Sequence, residues 1–115
     1  MTKGSCHCGA VTFEVEGAPD KAMECNCSHC QRKGFLLWFV PRAQFHLTSG
    51  SDALQEYQFY KHKIRHQFCK TCGVQAFAYG NMPDGSEIAA INVRACPDDV
   101  DIAALPRVAV DGKSF

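Results

Sequence analysis

Seven of the eight cysteines in this 115-residue chain fall into three tight clusters, and that spacing limits the fold more than any other feature. Cys6-His7-Cys8 is a C-x-C pair. Cys25-Asn26-Cys27-Ser28-His29-Cys30 is a C-x-C-x-x-C set, and Cys69-Lys70-Thr71-Cys72 is a C-x-x-C pair followed by Gly73. Cys96 stands alone. A short turn carrying two cysteines aims both sulfurs at one point, and a tetrahedral metal site then needs a second pair from elsewhere in the chain. Cys6, Cys8, Cys69 and Cys72 would close one such site. Cys25, Cys27 and Cys30 would supply three ligands from one loop and leave a fourth position for water or substrate. A closed site beside an open one is the usual division between structural and catalytic zinc. The spacing alone leaves open a pairing of Cys6 and Cys8 with part of the middle cluster. Gly9 and Gly73, each directly after a cysteine pair, permit the positive φ that turns amides toward sulfur.

Other uses of these cysteines fit less well. The first residues, Met1 to Cys6, contain no apolar run of the signal-peptide kind, and the apolar stretch from Phe35 to Val40 is too short to span a bilayer. The expectation is therefore a cytoplasmic protein, where thiols stay reduced and a disulfide framework is out of place. A redox role for Cys69-x-x-Cys72 wants a helix after the first cysteine, whereas Gly73 and the alternation Val74-Gln75-Ala76-Phe77 suggest a zinc-bearing turn running into a strand. The Glu and the Pro-Cys-x-x-Cys of the nucleobase-deaminase signature are absent, as is the late histidine pair of a nucleic-acid finger. Lys+Arg and Asp+Glu are equal at 12 each, so no global field draws the chain toward nucleic acid or an anionic membrane.

The length predicts one domain over residues 1–115. Val11, Phe13 and Val15 alternate with polar residues as in a half-buried strand. Phe35 to Val40, stopped by Pro41, reads as a strand buried on both faces. Further strands are expected at Gln44 to Thr48, Glu56 to Lys61, Ile64 to Phe68, Val74 to Tyr79 and Glu87 to Val93, separated by Gly, Pro, Asp and Asn turns. Only Ser28 to Lys33 and Val100 to Leu105 read as helical turns. The expected fold is mainly β, with short coiled sheets tied by metal.

Gly4-Ser5-Cys6-His7-Cys8-Gly9-Ala10-Val11-x-Phe13, Cys25-x-Cys27-Ser28-x-Cys30 and His66-x-Phe68-Cys69-x-x-Cys72-Gly73 together resemble the glutathione-dependent formaldehyde-activating enzyme family, which also includes centromere protein V. The resemblance runs over nearly the whole chain. It implies an Mss4-like β fold, a structural zinc on Cys6, Cys8, Cys69 and Cys72, and a second zinc on Cys25, Cys27 and Cys30. The activity it implies is addition of glutathione to formaldehyde, classed as a carbon–sulfur lyase. Gln31 to Gly34, Trp38 to Pro41 and His66 look closer to the centromere-protein-V-like branch.

Independently of the resemblance, a zinc with three thiolates and a free position can hold a small thiol beside an aldehyde. Arg32 and Lys33, just after Cys30, are candidate contacts for the carboxylates of such a thiol. His66 is a candidate to orient substrate or carry a proton. The basic run Lys61-His62-Lys63-Ile64-Arg65 reads first as a solvent-facing edge. His7 and His29 are expected to point outward between ligands, Cys96 to be a buried structural thiol, and Phe35, Trp38 and Phe39 to be core first and a substrate wall second. Two functions follow. One is an enzyme acting on a thiol and an aldehyde at an open Cys25-Cys27-Cys30 zinc. The other is a noncatalytic zinc module, a glutathione carrier or interaction domain.

Overall fold

The computed structural model describes residues 1–58 and 64–111. Among these residues ten strands and one short α-helix follow one another: β1 (Thr2–Ser5), β2 (Thr12–Val15), β3 (Ala22–Cys25), α1 (Ser28–Lys33), β4 (Leu37–Pro41), β5 (Phe45–Ser49), β6 (Leu54–Tyr57), β7 (Arg65–Cys69), β8 (Phe77–Asn81), β9 (Glu87–Asn92) and β10 (Arg107–Val110). They form a three-stranded sheet in the order β1-β2-β5 and a seven-stranded sheet in the order β10-β3-β4-β9-β8-β7-β6. All pairings are antiparallel except β10 with β3. The fold is mainly β, as the turn-punctuated sequence predicts. No helix among the described residues is long and apolar enough to cross a membrane.

Strand alternation gives the larger sheet two unlike faces. On one, Phe77, Ala89, Ile91 and Val40 meet Phe13 and Phe45 of the smaller sheet, and this layer is the core. Phe45 and Phe77 have ring centroids 4.6 Å apart, and Phe13 closes on Phe77 edge-on at 5.7 Å. Burying each such ring contributes about 2–3 kcal/mol. On the other face the register sets His66 opposite Ala78, Ala78 opposite Ala90, and Phe39 opposite Ala90 in turn. Gly80 lies opposite Ile88, and Leu37 opposite Asn92. The middle of this face carries little bulk, so it is concave.

Several expectations change. The run Phe35 to Val40 is not a strand buried on both faces. Its ladder begins at Leu37, and Phe39 is 46% exposed, because its face borders a hollow and only the face with Val40 meets the core. The strand expected from Val74 begins at Phe77, since the Val74 carbonyl instead accepts the Cys69 N–H at 3.0 Å and closes a turn. Val100 to Leu105 forms hydrogen-bonded turns without a helix. Of the strand expected over Glu56 to Lys61, Glu56 and Tyr57 belong to β6, and Phe59 to Lys63 lie outside the described residues. Strands β1, β3 and β10 were not anticipated; each has four residues, too few for alternation to stand out.

Candidate metal centres and the adjoining cavity

Two turns of the same design carry the first cysteine group. After β1, the Cys6 N–H donates to the Val11 carbonyl at 3.0 Å; after β7, the Cys69 N–H donates to the Val74 carbonyl at 3.0 Å. Gly9 (φ 82°) and Gly73 (φ 79°) take the left-handed conformation inside each turn, which a side chain would strain. The Val11 amide then points at the Cys6 sulfur and the Thr71 amide at the Cys69 sulfur, both at 3.4 Å. The amides of Val74 and Cys8 hold the Cys72 thiol down to about 6. Such donors stabilise thiolates before any cation arrives.

The sulfurs of Cys6, Cys8, Cys69 and Cys72 lie within 4.8 Å of one another. Cys6 Sγ is 3.6 Å from Cys8 Sγ, and Cys8 Sγ is 3.7 Å from Cys69 Sγ. A Zn–S bond of about 2.3 Å puts tetrahedral corners about 3.8 Å apart, whereas a disulfide needs about 2.05 Å. All eight thiols are free. The four-sulfur cage therefore fits a tetrahedral metal with every corner supplied by protein. It joins Cys6 and Cys8 to Cys69 and Cys72 rather than to the middle cluster.

The second group is built differently. Cys25 ends β3, where β10 lies alongside in parallel, with Val110 opposite Cys25 and the Asn26 N–H donating to the Val110 carbonyl at 3.1 Å. Cys27 is the N-cap of α1, its sulfur accepting the Cys30 N–H at 3.3 Å. Gly34 (φ 70°) ends the helix, its N–H donating to the Cys30 carbonyl at 2.9 Å. The sulfurs of Cys25, Cys27 and Cys30 also lie within 4.8 Å of one another, so three corners of a metal site are present. Burial pushes the Cys30 thiol well up, so its thiolate needs a cation beside it.

These three cysteines border a cavity of about 380 Å³ on the concave sheet face. Its walls are mostly apolar, with His66, Gln75, Asn81 and Asn92 among the polar residues. His66 is 6% exposed, and burial, then the charges of His29 and Lys33, push it down to about 4. Gln75 Nε2 donates to His66 Nδ1 at 2.8 Å, which places the neutral ring's proton on Nε2. Asn92 Nδ2 in turn holds the Gln75 carbonyl at 3.1 Å. Gln75 and Asn92 were not foreseen, because neither belongs to a motif.

His66 thus shares a cavity with the three-cysteine group. Arg32 and Lys33 do not line it. Arg32 folds back onto the Ser28 carbonyl at 3.0 Å, and both are exposed on the last turn of α1. His29 does not point outward: it is half-buried, with its ring 4.1 Å from that of His66 and 5.6 Å from those of Tyr57 and Phe35. His7 is exposed. Phe35 and Phe39 belong to the cavity wall, while Trp38 packs against the core. Cys96 is fully buried away from both groups, its thiol pushed up to about 12 by burial and by Asp99.

A family model described as glutathione-dependent formaldehyde-activating enzyme matches residues 1–108. A crystal structure of a Rhodobacter sphaeroides protein is similar at 31% identity with a TM-score of 0.77. The match covers 92% of this chain and 99% of that one.

Proposed function

The chain belongs to the glutathione-dependent formaldehyde-activating enzyme family, and from that premise we propose that it adds glutathione to an aldehyde at the Cys25-Cys27-Cys30 centre, as a carbon–sulfur lyase-type enzyme with two Zn²⁺ per chain. The observation that carries this reading is the contrast between the two cysteine groups. One brings four sulfurs together in a cage, and the other brings three together beside a cavity. Zn²⁺ bound by Cys25, Cys27 and Cys30 would supply Lewis acidity and lower the pKa of a thiol at its remaining position.

The protein's own groups account for the rest. Cys27 and Gly34 cap α1 and so fix the angle at which Cys30 meets its partners. His66, neutral near pH 7, donates its Nε2–H to the aldehyde oxygen, in the tautomer that Gln75 imposes. Lys33 and Arg32, outside the cavity, contact the carboxylates of glutathione, which have no reason to enter an apolar space. Gln31 to Gly34, Trp38 to Pro41 and His66 support a place in the centromere-protein-V-like branch.

In the overall reaction the thiol S–H adds across C=O. The S–C bond forms, the π bond opens, the proton ends on oxygen, and nothing is oxidised or reduced. The test is the rate of hemithioacetal formation with zinc-replete protein against buffer. Cys27→Ser should abolish the gain while the helix survives, because serine also caps helices well. Glutathione binding with no change in that rate would favour a carrier instead.

A further inference from the structure

The cavity is the wrong shape and chemistry for formaldehyde alone. An apolar cavity of about 150 Å³ is enough to take benzene. The hollow here is about 380 Å³, and formaldehyde is barely larger than a water molecule. Its floor is made of Ala78, Gly80 and Ala90, which share one sheet face by register. A methyl group added at Gly80 would meet the tip of the Ile64 side chain at 2.9 Å, so Ile64 packs close over the Gly80 end of the floor. Around the rim, Phe39 and Ile64 are 46% and 40% exposed. No lysine, arginine, aspartate or glutamate is found among the described residues of the lining. Such walls reward burial of hydrocarbon and penalise burial of a carboxylate.

Resting on the activity proposed above, we infer that the preferred substrate is an aldehyde bearing a medium-length alkyl or aryl group rather than formaldehyde. The carbonyl carbon sits at the Cys25-Cys27-Cys30 end, near His66, and the hydrocarbon lies over Ala78 and Ala90 against Phe39, with Ile64 closing the Gly80 end. The bond changes are those of the thiol addition already given, with the apolar group a spectator that supplies binding. Ala90 and Phe39 are then specificity-determining residues.

The test has two readouts on zinc-replete full-length protein. In the first, glutathione addition is followed for formaldehyde, propanal, hexanal and phenylacetaldehyde, each rate divided by its rate in buffer. The protein-dependent ratio should rise with chain length by up to about fourfold per methylene, and by at least about tenfold from formaldehyde to hexanal. Ala90→Leu, which fills the floor, should flatten the rise. Phe39→Ser, at an exposed position that does not endanger folding, should reduce the hexanal advantage severalfold. In the second, unreactive hexan-1-ol should shift the amide NMR signals of Ala78, Gly80 and Ala90, and methanol at equal concentration should not. A ratio that is flat with chain length, or hexan-1-ol shifts absent from those amides, overturns the inference and leaves the thiol–aldehyde reading standing. No acceleration with any aldehyde overturns both.

Discussion

The two cysteine groups use the same ligand in two settings. Cys6, Cys8, Cys69 and Cys72 come from two matching turns at the ends of β1 and β7, so their four sulfurs join segments more than sixty residues apart. Cys25, Cys27 and Cys30 come from one strand end and the first turn of one helix, and they join nothing distant. What lies opposite them is a hollow. A cage that cross-links the chain should govern folding, while a local triad that borders a cavity should govern chemistry. Number of sulfurs matters less than what their positions connect.

The sharpest way to break this comparison is to remove one sulfur from each group. Cys69→Ser, at a position 1% exposed, should lose several kcal/mol, since binding at structural zinc sites is folding free energy. A drop in Tm of well over 10 °C, or loss of a cooperative melt, is expected by circular dichroism. Cys27→Ser should cost under about 1 kcal/mol, retain a cooperative melt, and lower the metal content by one ion per chain in elemental analysis. Equal destabilisation by the two substitutions would dissolve the distinction.

A chelator titration sharpens it next. One metal equivalent should leave at low chelator with near-ultraviolet circular dichroism intact. The second should leave only with loss of that signal, because it takes the cross-link with it. Simultaneous release would place both ions in one cooperative unit.

A smaller effect separates the surroundings of the two groups. His66 is held near 4 in the fold and titrates near 6.5 when unfolded. Between those values the unfolded chain binds more protons, so this residue's contribution is intact above about 6.5, falls as pH is lowered toward 4, and changes no further below it. The wild-type loss of Tm from pH 7 to pH 5 should exceed that of His66→Gln, measured side by side to cancel acid release of metal. Identical losses would contradict a neutral imidazole beside the cavity. The smallest effect is expected at Lys33. An exposed charge pair contributes about 0.2–1 kcal/mol, so Lys33→Ala should raise KM for glutathione by no more than about fivefold with kcat unchanged.

Much of this was legible in the residues. The cysteine clusters with Gly9 and Gly73 predict two metal-binding turns, and Ser28 to Lys33 reads as a helical turn, which α1 is. The cavity was not legible as such, although it left a trace. In Phe77-Ala78-Tyr79-Gly80, large residues alternate with small ones, and the small face is the floor. The same alternation reads equally well as an ordinary half-buried strand. Gln75 gave no signal at all, because its side chain gains a role only when Gln75 and His66 are brought to 2.8 Å.

Local order along the chain determined the ligand types, their grouping and the turns that present them, because two cysteines within a few residues meet through backbone geometry alone. Which cluster joined which, and what the unjoined one faced, depended on sheet register. The register of β7, β8, β9 and β4 aligned His66, Ala78, Ala90 and Phe39 across four strands. Contacts of that range come from packing Phe77 and Ile91 against Phe13 and Phe45 on the opposite face, and only the folded chain fixes them.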